Sequence, residues 1–433
     1  MGSPPSGPRR VALFCGGRGS ATIIKALLRH AGTQLTLLLN GYDDGQSTGE
    51  LRQFLPGMLG PSDFRKNLSL LVGLRPPERS ALQRILDYRL APRFSEAATD
   101  LRGLVSSDSK PQLPEELSTA LRNLNSRRRL AVVAYLKKFL EYWDQRGKMP
   151  ALHDCALGNL VFAGAYLASG KDFNATVETL TKLCRTRARL LNVSQGESRV
   201  LTALKADGAL LHSEAEIVGP QSRSPILDLF LLPRELTHAE KKELATLPTA
   251  EKRQRLKSWE EPVGISPETD QAVRDADLIV YGPGTQFSSL FPTYRTQGLS
   301  PAILASRACA KVFIANLEWD HDIQGMRISE LIDKALEFLG DPTNDTRVIT
   351  HVLCNNRQLA NRLALGWEGV SPGLYKHIHV IQREFADVDV PAVHCGNAVL
   401  KQLFELHQAG GSPKILQGSG RFRALSKFAK TSA

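Results

Sequence analysis

Two adjacent carboxylates, two hydroxyls and turn glycines follow one apolar run: Asn40-Gly41-Tyr42-Asp43-Asp44-Gly45-Gln46-Ser47-Thr48-Gly49-Glu50-Leu51-Arg52 comes directly after Leu35 to Leu39. Asp43 and Asp44 offer hard oxygen ligands of the kind Mg2+ takes in preference to softer metals, or they orient an acceptor hydroxyl. Asp63 supplies a third carboxylate, the candidate to stay free of metal and accept a proton, with Asp44 beside it as a second catalytic candidate. A second cluster, Gly16-Gly17-Arg18-Gly19-Ser20, follows the apolar run Val11 to Cys15 and precedes a helical pattern from Ala21 to His30. Backbone amides freed by those glycines, with a helix N-terminus behind them, suit a phosphate. Each cluster also has a plainer reading. Asp-Gly is a strong turn signal, and Gly16 to Ser20 describes a tight strand-to-helix connection equally well. Gly17-x-Gly19 lacks the third glycine of the dinucleotide fingerprint, and no Gly-Lys-Ser/Thr occurs, which excludes a P-loop.

The elements that hold these clusters read as an α/β body. Strand-like runs at Val11 to Cys15, Leu35 to Leu39, Leu278 to Tyr281, Val312 to Ala315 and Val348 to Cys354 alternate with helical patterns, so the expected fold is a doubly wound, mostly parallel Rossmann-like sheet. Right-handed crossovers then put the strand-end loops on one rim, and bring Gly282, Pro283, Gly284 and Thr285 to the first two clusters. The core is expected over residues 10–91 and 151–410, with a tail at 1–9. A helical insertion spans 92–150, with Leu130, Val133, Leu136, Leu140 and Trp143 on one face, to cap the site or make an oligomer contact. Residues 185–217 read as a small antiparallel hairpin unit turning at Asp207-Gly208, and 232–261 as a charged, solvated helical excursion. Residues 411–433 form a basic tail.

A net charge of +11 is spread along the chain and accompanies no recognised nucleic-acid motif, so no specific nucleic-acid partner is expected. No run approaches the roughly 18 apolar residues of a membrane span. The 6 cysteines show neither Cys-x-x-Cys nor zinc spacing, and the start of the chain has no apolar signal core. Both observations fit a reduced, cytoplasmic location.

The clusters, taken with later blocks, resemble a known superfamily. Gly16 to Ser20, Asp43 to Arg52, Gly60-Pro61-Ser62-Asp63-Phe64-Arg65-Lys66-Asn67-Leu68, Leu157-Gly158-Asn159-Leu160, Ala206-Asp207-Gly208, Tyr281 to Thr285 with Ser288-Ser289, and Ala315-Asn316-Leu317 occur in the order expected of it. That superfamily joins 2-phospho-L-lactate transferase (CofD) with the YvcK-type gluconeogenesis factors, and the Asp-Asp-Gly-x-Ser-x-Gly form of the acidic loop is nearer the YvcK branch. The resemblance implies a nucleotide-linked small molecule as partner, of the UDP-sugar type in that branch. In the other branch it implies transfer of a phospholactate-type group to a deazaflavin-like alcohol with Mg2+. The ligand-binding set carried over is Gly16, Gly17, Arg18, Gly19, Ser20, Asp43, Ser47, Thr48, Gly49, Arg65, Lys66, Asn159, Gly282, Pro283, Gly284, Thr285, Ser288 and Asn316, with Asp43 and Asp44 on the metal and a homo-oligomer as the assembly. Asn159 and Asn316 offer both donor and acceptor to a base or sugar, or serve as turn residues. Arg18 stands where a small residue is usual, Gln46 and Ser62 replace glycines, and Lys66 stands where asparagine is common. Arg18 and Lys66 either add positive charge for a more anionic ligand or face solvent.

Overall fold

The computed structural model describes residues 9–91, 94–105, 114–147, 154–355 and 377–410. Parts of the insertion, the first eight residues and the basic tail from 411 lie outside the described residues. Ten strands are present among the described residues: β1 (Arg9–Phe14), β2 (Thr33–Leu39), β3 (Arg189–Asn192), β4 (Val200–Lys205), β5 (Leu210–Leu211), β6 (Ile226–Leu232), β7 (Leu278–Tyr281), β8 (Ala310–Ile314), β9 (His351–Asn355) and β10 (His379–Arg383).

Seven of these form one sheet in the order β10-β9-β8-β7-β1-β2-β3, with every pairing parallel. The central strands are Val/Leu/Ile runs without alternation because helices cover both faces. Residues Leu278 to Tyr281 of β7 are all buried, as are Ala310 to Ile314 of β8. This is the expected doubly wound α/β sheet. The last predicted strand begins later than expected. Val348 and Ile349 are buried yet precede β9, and the Val348 carbonyl accepts the Tyr281 hydroxyl at 2.7 Å.

The reading of 185–217 as one hairpin unit needs correction. Arg185 ends the Phe173–Cys184 helix in a left-handed conformation (φ 47°), and β3 joins the main sheet beside β2. Only Asp207-Gly208 turns a hairpin, between β4 and β5, and Ser213 caps a helix, Glu214–Val218. The third strand of the small antiparallel sheet is β6, paired with β4. Its run Ile-Leu-Asp-Leu-Phe-Leu-Leu has no strict alternation to announce it, because both faces are covered.

The charged excursion is one of those covers. Helices His238–Thr246 and Thr249–Trp259 each bury one leucine, Leu244 and Leu256, against Leu204, Phe230 and Leu232. Arg253 fastens the second helix to Asp228 at 2.6 Å and to Glu337 at 2.9 Å. Few apolar residues suffice to seat a helix when each is fully buried, which is why the charge pattern alone suggested solvent.

In the insertion, the helix Ser126–Arg146 packs along Leu157–Ala168. Its buried face is Val132, Leu136, Phe139, Leu140 and Trp143. Leu130 is 66% exposed and lies off that face, as does half-buried Val133. Phe54, at the end of the acidic-loop helix Gln46–Phe54, meets Phe139 and Tyr142 edge-on.

Candidate functional site

The order of strands reverses at β1. On one side the chain proceeds to β2 and β3, whereas its other neighbour, β7, leads to β8, β9 and β10. Loops leaving β1 and β7 therefore part to opposite faces and open a crevice at the carboxyl edge of the sheet, the place where open α/β sheets bind ligands. Gly16 to Ser20 and Gly282 to Thr285 are those two loops.

They touch. A Cβ on Gly19 would lie 2.7 Å from Gly284 Cα and 2.8 Å from the Pro283 carbonyl oxygen, so no other residue fits without moving backbone. Ser20 Oγ donates to that same carbonyl at 3.0 Å. It is the N-cap residue of the helix Ala21–Arg29 but makes no side-chain cap, so the amides of the first turn keep no side-chain partner. Asn316 braces the second loop: its Nδ2 donates to the Gly284 carbonyl at 2.9 Å, and its Oδ1 accepts from Gln286 Nε2 at 2.9 Å. The loop runs into a turn of π-helix, Gln286–Leu290, held by buried Asp322, whose Oδ2 accepts the Phe287 and Ser288 amides at 2.9 and 3.3 Å. Ser288 Oγ is buried and has no hydrogen-bond partner among the described residues.

The acidic centre is assembled from three chain segments. Asp63 lies in the first turn of the helix Ser62–Leu71, where the helix dipole favours its charge. Its Oδ1 accepts from Lys66 Nζ at 2.8 Å and its Oδ2 from Ser289 Oγ at 3.3 Å. Gly17 passes so close that a Cβ there would be 2.7 Å from Asp63 Oδ1 and 3.0 Å from Lys66 Nζ. Asn67 Nδ2 holds the Gly16 carbonyl at 2.9 Å. Asn40, just after β2, ties the Ser289 carbonyl and the Thr293 hydroxyl at 2.5 and 2.7 Å.

Asp43 and Asp44 diverge. Asp43 lies within reach of the charges of Asp63 and Lys66, and its Oδ1 accepts the Gly45 amide at 2.9 Å. Asp44 turns to the small sheet, where its Oδ1 accepts the Glu214 amide at 2.6 Å. Glu214 itself reaches back: a Cβ on Gly45 would sit 2.5 Å from Glu214 Oε2 and 3.4 Å from Asp43 Oδ1. Burial, reinforced by the charges of Asp43 and Asp63, pushes the Glu214 carboxyl up to about 8. Burial and then the Asp63 charge push Asp43 up to about 6. Burial likewise raises Asp44, against the hydrogen bond from the Glu214 amide. For Lys66, burial works against the charged form, but the Asp63 and Asp43 carboxylates outweigh it and the amine is raised.

Among the described residues no group of three or more His, Cys, Asp or Glu side chains is placed to hold a metal ion. Mg2+ usually keeps several waters and takes only one or two carboxylates along with ligand phosphates. The carboxylates of Asp43 and Asp63, near the glycine loops, have the donor chemistry for such shared binding. The adjacent pair Asp43 and Asp44 does not converge on one ion.

Several expected ligand residues serve an internal chain beneath the acidic loop. Thr48 Oγ1 meets Ser62 Oγ at 2.5 Å, Asn159 Nδ2 donates to Ser62 at 3.2 Å, and Arg65 Nε reaches Asn159 Oδ1 at 3.4 Å. Arg65 is 2% exposed and pairs with Asp87 at 2.5 Å, while burial lowers its pKa. Ser47 lies beside the Cys155 thiol, and Gly49 rests on the Asp44 carbonyl. Thr285 Oγ1 pairs with Ser289 Oγ at 2.9 Å. Arg18 is exposed at the rim and makes no hydrogen bond or ion pair among the described residues. Five residues at this centre were not picked out from sequence: Asn40, Asn67, Glu214, Ser289 and Asp322. The first two and Ser289 sit in or beside the quoted motifs and were within reach. Glu214 had no local signal, because only the small sheet brings it back.

The family model described as 2-phospho-L-lactate transferase CofD matches residues 11–366. The gluconeogenesis factor of Bacillus subtilis is 24% identical over 317 residues, covering 73% of this chain and 69% of that protein. A putative gluconeogenesis factor of Thermotoga maritima is 21% identical over 350 residues, covering 81% of this chain and 79% of its own. A crystal structure of a UPF0052 family member from Bacillus halodurans superposes with a TM-score of 0.62 at 19% identity, covering 92% of this chain and 99% of the other. At that identity the likeness concerns the fold.

Proposed function

The chain belongs to the 2-phospho-L-lactate transferase CofD family, and we propose that it binds a nucleotide diphosphate of the UDP-sugar type, as a metabolic or cell-envelope regulator. The observation that carries this reading is the closure of Gly16 to Ser20 on Gly282 to Thr285 at the strand-order reversal. Loop amides and the uncapped helix N-terminus together suit a diphosphate. Lys66 and rim-exposed Arg18 add positive charge on one side, and Asp43 with Asp63 provides for Mg2+ shared with the phosphates. Similarity to gluconeogenesis factors supports the regulator over the enzyme.

A transferase is the second reading, favoured by one feature. Burial raises the neighbouring carboxyls of Asp43 and Glu214 to about 6 and about 8, so Asp43, in its ionised form near neutral pH, is a stronger base than an ordinary carboxylate and can accept a proton from an alcohol. In that case the loop amides stabilise charge on a departing nucleotide phosphate, Lys66 holds Asp63 in place at 2.8 Å, and bound Mg2+ would supply further charge neutralisation there.

Thermal shifts of purified protein with UDP-sugars, GDP and nucleotide-linked phospho-acids, each with and without Mg2+, test both. A ligand at a hundredfold excess over its dissociation constant stabilises by about 2.7 kcal/mol. A shift with UDP-sugars supports the regulator, a Mg2+-dependent shift confined to phospho-acids supports the transferase, and no shift with any nucleotide refutes the site.

A further inference from the structure

Lys66 is a cation set among the carboxylates of the acidic centre. Its Nζ donates to Asp63 Oδ1 at 2.8 Å, with the lysine side chain 28% and the aspartate 10% exposed. Its charge also acts on Asp43 and Glu214. Arg52, the other cation near Asp43 and Asp44, is committed to holding the chain together. Its terminal nitrogens donate to the Tyr42, Asp43 and Arg199 carbonyls and to the Ser198 hydroxyl. The Lys66 ammonium carries three hydrogens and has one hydrogen-bond partner among the described residues, Asp63.

The same ammonium lies against the first glycine loop. A Cβ on Gly17 would meet Asp63 Oδ1 at 2.7 Å and Lys66 Nζ at 3.0 Å, so the Gly17 backbone, the ammonium and the carboxylate oxygen crowd one spot. A phosphate seated on the amides of that loop therefore comes within reach of Nζ. Of the two paired side chains, only the lysine is free to change partners. Asp63 is held in the first helical turn and by Ser289 Oγ at 3.3 Å, whereas an ammonium on a flexible four-carbon stem swings between acceptors at little cost. A divalent cation on Asp63 Oδ1, bound at about 2.1 Å, would stand no more than about 5 Å from Nζ, close enough for strong repulsion in a half-buried site.

We propose that Lys66 is an exchangeable counter-ion: it neutralises Asp63 before ligand binds, moves to the ligand's phosphate on the Gly17 loop, and so releases Asp63 to a divalent cation only when phosphate is present. This exchange rests on the nucleotide-diphosphate reading of the site and adds regulation to it. Metal and ligand bind as a coupled pair, each raising the affinity for the other, and free Mg2+ alone gains little hold.

The test is isothermal titration of Mn2+, as a probe for Mg2+, into the full chain with and without saturating UDP. Lys66→Gln keeps a donor for Asp63 but removes the charge. It is expected to tighten Mn2+ binding at least about tenfold without UDP and less than about threefold with UDP, because in that complex the wild-type lysine has already left Asp63. Association of Mn2+ with UDP in solution is the same for both proteins and cancels. Lys66→Arg retains the charge and is expected to bind Mn2+ alone no tighter than the wild type; it carries the test should Lys66→Gln fail to fold. Equal gains with and without UDP would mean that the lysine acts only as a distant charge, and would overturn the exchange. Unchanged Mn2+ affinity in Lys66→Gln, or tighter binding by Lys66→Arg, overturns it equally. UDP that binds neither protein refutes the nucleotide reading itself, and the exchange with it.

Discussion

Replacing Glu214 by Gln tests the electrostatics of the acidic centre directly. Folding buries this carboxyl beside Asp43 and Asp63 and moves it up to about 8, from about 4.3 in an unfolded chain. Between those values the folded protein holds a proton that the unfolded chain has released, so stability falls as pH rises, and the loss is complete above about pH 8. At about 1.36 kcal/mol per pKa unit the ceiling is about 5 kcal/mol. Glu214 is only half-buried and shares the repulsion with Asp43, so about 2 kcal/mol is the expected share for one residue. Glutamine keeps the shape and the main-chain bond from residue 214 to Asp44 while removing the charge. The assay is thermal melting of both proteins at pH 5.5, 7.0 and 8.5 in EDTA at low salt. The variant should lead by about 2 kcal/mol, or a few degrees in Tm, at pH 8.5, and by only about a third of that amount at pH 5.5. Comparing the variant with the wild type at each pH cancels the titrating groups that do not interact with residue 214, and the change in Asp43, which does, belongs to the effect being measured. Melting curves that stay parallel across the pH series, or a variant less stable at pH 8.5, would refute the account of the site.

Gly19→Ala drives a methyl into Gly284 and Pro283, so it should abolish the nucleotide-induced thermal shift and lower Tm even without ligand. Ser20→Ala removes only the bond to the Pro283 carbonyl; it should cost about 1 kcal/mol in urea unfolding and weaken nucleotide binding modestly. Asp44→Ala leaves the first amide of the Glu214–Val218 helix without its acceptor, for a cost of about 1 to 2 kcal/mol by urea unfolding. Leu256→Ala empties the small core under the charged helices and should cost about 2 to 5 kcal/mol. Limited proteolysis should then cut first within residues 233–261; cleavage elsewhere at first would contradict the separate packing of that unit.

The sheet was legible because its strands are fully buried apolar runs ending in glycine loops, and those loops carry the site. What escaped was pairing. β3 reads as a strand from Leu190 and Leu191, yet nothing in a four-residue run says whether it joins a small hairpin or the edge of a large sheet. β6 was missed because a strand covered on both faces loses the alternation that identifies one. Arg65 and Asn159 lie in the right motifs, but the sequence does not reveal that Asp87 and Ser62 engage their side chains. Glu214 illustrates the remaining limit: two carboxylates brought together through the turning of a separate sheet leave no spacing to recognise.

The central position of β7 has a consequence for how the chain is made. β1 and β2 emerge early from the ribosome, but β1 must wait on its other side for a strand that follows the insertion, β3 and the whole small sheet. Through that interval β1, whose residues Val11 to Phe14 are buried in the finished sheet, has one unpaired edge, and the long-range closure that covers it is the slow kind. Since the same event sets Gly284 against Gly19, the two glycine loops cannot close on each other until β7 has reached β1, whatever β8 to β10 then add beyond it.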